Sequence, residues 1–509
     1  MELICGKTTG VTEASFANKH QPFLYPTRNK SGTIIVDEAA ERNRKDFLQQ
    51  NLTGKDGIRM KKSFDLIVIG SGIAGSGAAM KCRQAGWEVA VVDERPFGGT
   101  CQLRGCDPKK ILVGAAELMD WNQRMAGKGV ETSGEINWPD LIAFKRSFTE
   151  NASENNEKYL EEAGISVLHG HADFIGEKQI RIGELSYDAK YILIATGAVP
   201  MPLGFKGAEH MIDSEGFMEL EKLPKKIIFA GGGFIAFEFA HIAARTGAEV
   251  HIIEMQDRPL ANFDSEIVEM LVEKSKDIGI HIHTGTSVDA VELIESGLVV
   301  HCMKQGAKVD IEGELVVHGA GRVANMANMG LDAGKVEFTR KGILVNDYLQ
   351  SVSNPAVYAA GDAAASPGLP LTPFASLEGD LAATNMLKGN TAKTDYKVKP
   401  SVVFTVPKIG SVGLTEEQAL EKGYSCQTVK VDMSDWYTYT RTGDSYAMAK
   451  IIVDDKTDLI LGAHVMGSYA DELINLFAMA IQFDLPSKNL KHMMLAYPAA
   501  ASDIGYMLP

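Results

Sequence analysis

The sequence predicts an α/β fold in which two doubly wound units of parallel strands and helices are followed by a smaller α+β domain, and three observations carry the prediction. Two short apolar runs, Leu66-Ile67-Val68-Ile69 and Ile227-Ile228-Phe229-Ala230, have the length and composition of strands buried on both faces of a parallel sheet. Each leads directly into a glycine turn that opens a helical stretch: Gly70-Ser71-Gly72-Ile73-Ala74-Gly75 in the first case, Gly231-Gly232-Gly233-Phe234-Ile235-Ala236 in the second. After a loop around Lys388-Gly389-Asn390 the pattern changes to paired strands and two helical segments, with no further glycine turn of this kind.

Length and composition bound the reading. A chain of 509 residues exceeds one hydrophobic core and suggests about three domains. A net charge of −15 argues against a nucleic-acid partner, which needs a basic footprint. Six cysteines in so long a chain do not make a disulfide framework, so a closely spaced pair reads as catalytic and the compartment as reducing. The first residues lack a basic segment followed by an apolar run, and no stretch is long and apolar enough to span a bilayer; a cytoplasmic chain with no membrane partner is expected. No residues are assigned as metal ligands.

Residues 1–59 have little periodicity, apart from Asp37 to Asn51, which is rich enough in Glu, Arg, Lys, Ala and Gln for a polar helix. From Ser63 the first unit begins. Its glycine spacing permits a tight turn and a close backbone approach to a pyrophosphate, which then sits at the N-terminus of a helix from about Ala74 to Ala85. The next strand, Val89 to Val92, ends in Asp93, at the distance expected for a carboxylate that accepts ribose hydroxyls. Strand, glycines, helix and acid together indicate dinucleotide binding, whereas the glycines alone would be a weak signal.

A few residues later comes Gly98-Gly99-Thr100-Cys101-Gln102-Leu103-Arg104-Gly105-Cys106-Asp107-Pro108-Lys109-Lys110. Two cysteines four residues apart, where a loop becomes a helix, can close a small disulfide that accepts and releases two electrons; the alternative is two unpaired core cysteines. A helix N-terminus and the cations Arg104, Lys109 and Lys110 favour a thiolate, while Asp107 opposes it. Cys5, Cys82, Cys302 and Cys426 lack such spacing and read as structural. Helical patterns continue through Leu118 and from Asp140 to Ala163, and Tyr191 to Gly197 is another buried strand closing on a glycine turn.

The second unit begins at Lys225, and its following strand, Val250 to Ile253, ends in Glu254. A carboxylate there bonds a free ribose 2′-hydroxyl and repels a 2′-phosphate, which favours NADH over NADPH, with Arg258 close enough to soften the preference. Further on, Val357 to Ala360 delivers Gly361-Asp362 at a turn, where the aspartate is a cofactor ligand or a simple helix cap. Met448 to Gly467 reads as paired strands, with helices from about Ala470 to Phe483 and Pro486 to Leu495.

Taken in order, these motifs resemble the flavin-dependent pyridine nucleotide-disulfide oxidoreductases, which include glutathione reductase, dihydrolipoyl dehydrogenase and mercuric reductase. The resemblance runs from about residue 63 to the C-terminus. It implies two Rossmann-like dinucleotide-binding domains and a C-terminal α+β dimerisation domain. The implied division is an extension of unknown role at 1–59, FAD-binding segments at 60–204 and 326–392, an NAD(P)H-binding domain at 205–325, and an interface domain at 393–509. FAD would be held through Gly70, Gly72, Gly75, Asp93, Gly99, Thr100, Thr196, Gly197, Gly361 and Asp362, and NADH through Gly231, Gly233, Ala236 and Glu254. Electrons would pass from the nicotinamide through the flavin to a Cys101–Cys106 disulfide, with Cys106 next to the flavin and Cys101 attacking a small-molecule or thiol/disulfide acceptor. The family's lysine maps onto Lys109, with Lys110 the alternative, and its glutamate partner onto Glu238.

The C-terminus departs from the pattern. Disulfide reductases of the family end in a His-Pro motif with a nearby Glu, supplied by the second subunit of a homodimer. Here Tyr497 precedes Pro498 and Ser502 stands at the glutamate position. A tyrosine side chain can donate a proton but does not hold one poised near neutrality as imidazole does; Asp503 and His492 are the substitutes nearby. Mercuric reductases share a tyrosine near that position, but the C-terminal cysteine pair that hands over the metal is absent from the ending Tyr506-Met507-Leu508-Pro509. The expected function is therefore an FAD-dependent NADH oxidoreductase acting through the cysteine pair. The alternatives are a diaphorase or metal or quinone reductase, and a redox sensor that uses residues 1–59 as a contact arm.

Overall fold

The computed structural model describes residues 63–131 and 134–509. The N-terminal segment and its expected polar helix lie outside them. No helix among the described residues is long and apolar enough to cross a membrane.

The first sheet has seven strands and is built around Ser63–Ile69, which pairs in parallel with Val89–Asp93 on one side and Leu185–Ile194 on the other. Its apolar run is continuous because both faces are covered. Leu66 and Val68 pack with Ala78, Ala79 and Leu193 on one face, while Ile67 and Ile69 pack with Ile192 and Ile194 on the other. The helix Ile73–Gln84 links the first two strands. The chain then leaves this sheet and returns much later, when Val357–Ala359 pairs in parallel with the end of Leu185–Ile194. The turns at Gly70, Gly197 and Gly361 therefore leave the carboxyl ends of neighbouring strands, the crevice where such sheets bind ligands.

Between those visits the chain builds a second parallel sheet in the order Ile280–His283, Glu249–Ile253, Lys226–Ala230, Leu315–His318, with a three-stranded antiparallel sheet over residues 286–313. The helix Phe234–Ala244 carries apolar residues all round and is buried from Ala236 to Ala243, so its two polar members, Glu238 and His241, must find partners inside the protein. The last region is a five-stranded antiparallel sheet over residues 401–467, with the helix Ala470–Gln482 laid on it through Leu473, Ile474 and Phe477.

Two boundaries differ from the sequence expectation. The stretch expected to be helical from Asp140 to Ala163 is two helices, Trp138–Thr149 and Ala152–Glu162. Near the C-terminus only Ser487–Lys491 is α-helical, and Ala500–Tyr506 forms a 3-10 turn. Met493 and Met494, in the expected helix, are 56% and 97% exposed, so these two side chains have no core to hold them in a helix.

Candidate active site

The cysteine stretch folds as two helices, Gly99–Arg104 and Cys106–Arg124, broken at Gly105. Cys106 is thus the first residue of a 19-residue helix, where the unpaired N–H groups favour a thiolate. Its Sγ lies 3.6 Å from Thr372 Oγ1, and the Cys101 thiol points at Asp107 Oδ1, 3.8 Å away. The two sulfurs are free thiols in this structure. A hydrogen bond from Cys101, then one from Thr372 and the charge of Lys109, bring the Cys106 thiol down to about 6 against the opposing effects of burial and Asp107. The same hydrogen bond, with burial and Asp107, pushes the Cys101 thiol up. Burial pushes Cys82 and Cys302 up to about 12 and about 11, as inert core thiols require.

One turn into the helix, Lys109 Nζ lies 2.8 Å from Glu238 Oε2. Glu238 is 1% exposed, and its second oxygen accepts the Phe404 N–H. Lys110 lies over the Phe404 ring instead, 4.1 Å from its centre, and burial lowers its pKa. Arg104 faces Glu215 at 3.5 Å and is not among the groups that tune the thiols.

The two glycine turns repeat one solution. Gly70 and Gly231 have φ of +106° and +110°, and a Cβ on either would meet backbone within 2.5 Å, Ala195 in the first turn and Gly319 in the second. Ser71 N–H donates to Asp93 Oδ2, and 22 residues separate the partners; Gly232 N–H donates to Glu254 Oε2 with the same separation. Ser71 also donates its hydroxyl to Asp93 and accepts from Gly98 N–H, tying the first turn to the cysteine stretch. The two segments touch: a Cβ on Gly99 would lie 2.5 Å from Gly72 Cα. Glu254 is buried and accepts a second bond from Gln256 N–H. Arg258, expected to soften nucleotide selection, donates to the carbonyls of Ala261 and Phe263.

Gly361 N–H donates to Glu378 Oε2, while the other Glu378 oxygen accepts from Ser366 and Tyr396, so this buried carboxylate fixes the turn before Asp362. Burial pushes the Asp362 carboxyl up from the ordinary aspartate value, with Arg322 acting against it. Thr196 donates its hydroxyl to Asn325 O.

A single cleft of about 2370 Å³, counted to its open mouth, joins most of these groups. Gly70, Gly72, Asp93, Gly99 and Thr100 line it, with Cys101, Cys106, Lys109, Thr196, Gly197, Glu238, Gly361 and Asp362. Gly75 lies behind the first turn, where a Cβ would fall 2.0 Å from Gly70 O. Gly231, Gly233, Ala236 and Glu254 form the second turn and do not line the cleft, although the neighbouring Phe234 and Ile235 do. Tyr497 stands apart and is 81% exposed. Asp503 accepts a hydrogen bond from Thr438, and Ser502 donates to Ala499 O. The sequence reading missed Ser71, Arg322, Thr372 and Glu378; Ser71 stood inside a glycine motif, but its partner and that of Thr372 lie 22 and 266 residues away.

The cleft fits FAD. Its bare glycine turns let a pyrophosphate reach backbone N–H groups, and Asp93, Cys106 and Lys109 line the same cleft. The second turn repeats the pyrophosphate geometry and ends in its own carboxylate, as a nicotinamide dinucleotide requires.

Comparison with known proteins gives the same reading. The model of the pyridine nucleotide-disulphide oxidoreductases matches residues 64–379, and the model of their dimerisation domain matches residues 399–507. Mercuric reductase from Staphylococcus aureus is 31% identical over 448 residues, 87% of this chain and 81% of that protein. Glutathione reductase from Burkholderia cepacia is 32% identical over 444 residues, 87% of this chain and 98% of that protein. The Cu(II) complex of the HOCl-induced flavoprotein disulfide reductase RclA from Escherichia coli shares the fold with a TM-score of 0.79 at 26% identity, over 87% of this chain and 98% of that one.

Proposed function

Because the chain belongs to the pyridine nucleotide-disulphide oxidoreductase family, an FAD-dependent group of enzymes, we propose that it uses NADH to reduce a disulfide through Cys101 and Cys106. The observation that carries this reading is the shared wall of one cleft: a low-pKa Cys106, a distinct Cys101 and the buried Lys109–Glu238 pair. Relatives named glutathione reductase and mercuric reductase, and a solved neighbour named a flavoprotein disulfide reductase, favour it over a flavin diaphorase.

When bound, FAD supplies the two-electron relay between the nicotinamide and the cysteine pair. Gly70, Gly72 and Asp93 would hold one end of it, and Asp362, after the returning strand, would hold another part. Lys109, held in place by Glu238, would present a positive charge to the group's developing negative charge. Reduction of the Cys101–Cys106 disulfide gives a Cys106 thiolate and a Cys101 thiol. After losing its proton, Cys101 attacks the acceptor disulfide, one acceptor thiolate leaves, and Cys106 displaces the other to regenerate the internal disulfide. The balance is NADH, one proton and one disulfide converted to NAD⁺ and two thiols.

NADH is favoured as donor because Glu254 sets a carboxylate at the second strand end, and because Arg258 is committed to two carbonyls. The working form is a homodimer, in which Tyr497 of the interface domain reaches the site of the other subunit as proton donor. In a Cys101→Ser variant the flavin is retained and is reduced by NADH, but turnover with glutathione disulfide falls at least about 10³-fold. Undiminished turnover in that variant would refute the mechanism.

A further inference from the structure

In the four-stranded sheet, the edge strand Ile280-His281-Ile282-His283 runs beside Glu249-Val250-His251 of its neighbour. The parallel register pairs His281 with His251 and His283 with Ile253. Side chains alternate along a strand, so Glu249, His251, His281 and His283 emerge on one face, while Val250 and Ile252 join the core on the other. The His251 ring centre lies 4.7 Å from that of His281 and 5.3 Å from that of His283. His251 Nε2 is 2.9 Å from Glu249 Oε1, and its Nδ1 is 3.0 Å from His283 Nε2. One ligand atom from each of Glu249, His251 and His281 falls within 4.8 Å of the others.

The sequence reading assigned no metal ligands, since His251 and His281 lie 30 residues apart and only strand pairing brings them together. Two imidazoles and a carboxylate are the donor set that divalent zinc and copper accept. Around a tetrahedral ion with bonds of about 2.0–2.2 Å, ligand atoms stand roughly 3.3–3.5 Å apart. The 2.9 Å and 4.8 Å separations bracket that span. A cation entering between His251 Nε2 and Glu249 Oε1 replaces the proton they share. His283, on the opposite ring nitrogen, holds His251 in orientation, the usual task of a residue behind a metal-bound histidine. Lys226 Nζ lies 2.9 Å from the same Glu249 oxygen and holds the carboxylate while no cation does. None of these residues lines the cysteine cleft.

We propose that Glu249, His251 and His281, oriented by His283, form a binding site for a borderline divalent transition metal, Zn(II) or Cu(II), on the edge of the second parallel sheet and separate from the cysteine pair.

The test uses the chelator-treated holoprotein with its cysteine pair oxidised, which removes thiolates as competing ligands. Zn(II) is titrated by calorimetry, and Cu(II) at one equivalent is followed by electron paramagnetic resonance. One ion should bind, the copper spectrum should carry hyperfine coupling to two imidazole nitrogens, and His281→Gln and Glu249→Gln should each weaken Zn(II) at least tenfold. Both substitutions fall on exposed positions, so folding is retained and is checked by flavin content. Equal Zn(II) affinity in wild type and both variants, or a copper spectrum without nitrogen coupling, would overturn the proposal.

Discussion

Thr372 offers a sharp test of how the cysteine pair is tuned. Its hydroxyl lies 3.6 Å from Cys106 Sγ and is among the groups that bring that thiol down to about 6. A hydrogen bond to a charged group contributes about 1.5–3 kcal/mol, and the lower figure applies because the Cys106 sulfur is open to the cleft. At 1.36 kcal/mol per pKa unit, Thr372→Val should raise the midpoint by about one unit, to about 7. At pH 7 the thiolate fraction then falls from roughly nine in ten to about one half. The assay is the long-wavelength absorbance that a thiolate gives against the flavin, followed from pH 5 to 9 in anaerobic holoprotein reduced with one equivalent of NADH. The folded-state pKa is depressed, so the signal is present at high pH and is lost as pH falls through the midpoint, near 6 in the wild type and near 7 in the variant. A midpoint that does not move, with flavin content intact, would show that the helix N-terminus, Cys101 and Lys109 hold the thiolate without Thr372.

Three further outcomes follow from the same geometry. Lys109→Met leaves the Glu238 carboxylate charged at 1% exposure, and breaking such a pair costs about 3 kcal/mol; urea unfolding of the holoprotein should show that loss, and the Lys109→Met/Glu238→Gln double variant should recover more than half of it. Gly231→Ala sets a Cβ about 2.5 Å from the Gly319 carbonyl, so the KM for NADH should rise tenfold or more at unchanged flavin content; loss of flavin instead would mean that the two turns have been assigned the wrong way round. Tyr497→His restores an imidazole on an exposed position and should raise turnover of glutathione disulfide near pH 7 at least about tenfold, since general acid-base groups contribute about 10²–10⁴; no gain in steady-state rate would remove Tyr497 from the proton path.

What the sequence makes legible is what is local. Leu66 to Ile69, the turn at Gly70 and the acid at Asp93 lie within one strand-helix-strand unit, and each implies the next through the geometry of a close approach. The repeat at Gly231 and Glu254 is legible for the same reason, and so is Cys106 at a helix start. The Thr372–Cys106 contact is not, because 266 residues of chain, including the whole second sheet, intervene before Thr372 returns to the first. Glu378 supports Gly361 from the helix Thr372–Lys388, and the pattern of that helix says only that the residue is a carboxylate on a mostly buried surface. The break between Trp138–Thr149 and Ala152–Glu162 was hidden because Glu150 and Asn151 are tolerated in a helix, with neither Gly nor Pro to mark the end.

The pair's asymmetry bears on the departure at Tyr497. A negative charge on either cysteine opposes one on the other, and the balance favours Cys106, at the helix start beside Lys109. Cys101 is pushed the other way, held by Asp107 as a thiol. The sulfur best placed to receive electrons is therefore not the one ready to attack an outside disulfide. A base must take the Cys101 proton before attack, and an acid must return one to the leaving thiolate. Asp107 already accepts from Cys101, but a carboxylate is a far weaker base than a thiolate and does not keep the proton in place of the Cys101 sulfur. On the proposed mechanism that task belongs to Tyr497 of a second subunit. Tyr497 is 81% exposed, in a segment matched by the dimerisation-domain model, so it is free to enter the cleft of a second subunit. On that mechanism the electron path would lie within one subunit and the protons would depend on assembly. Dilution below the dimer dissociation constant should abolish disulfide turnover while NADH still bleaches the flavin.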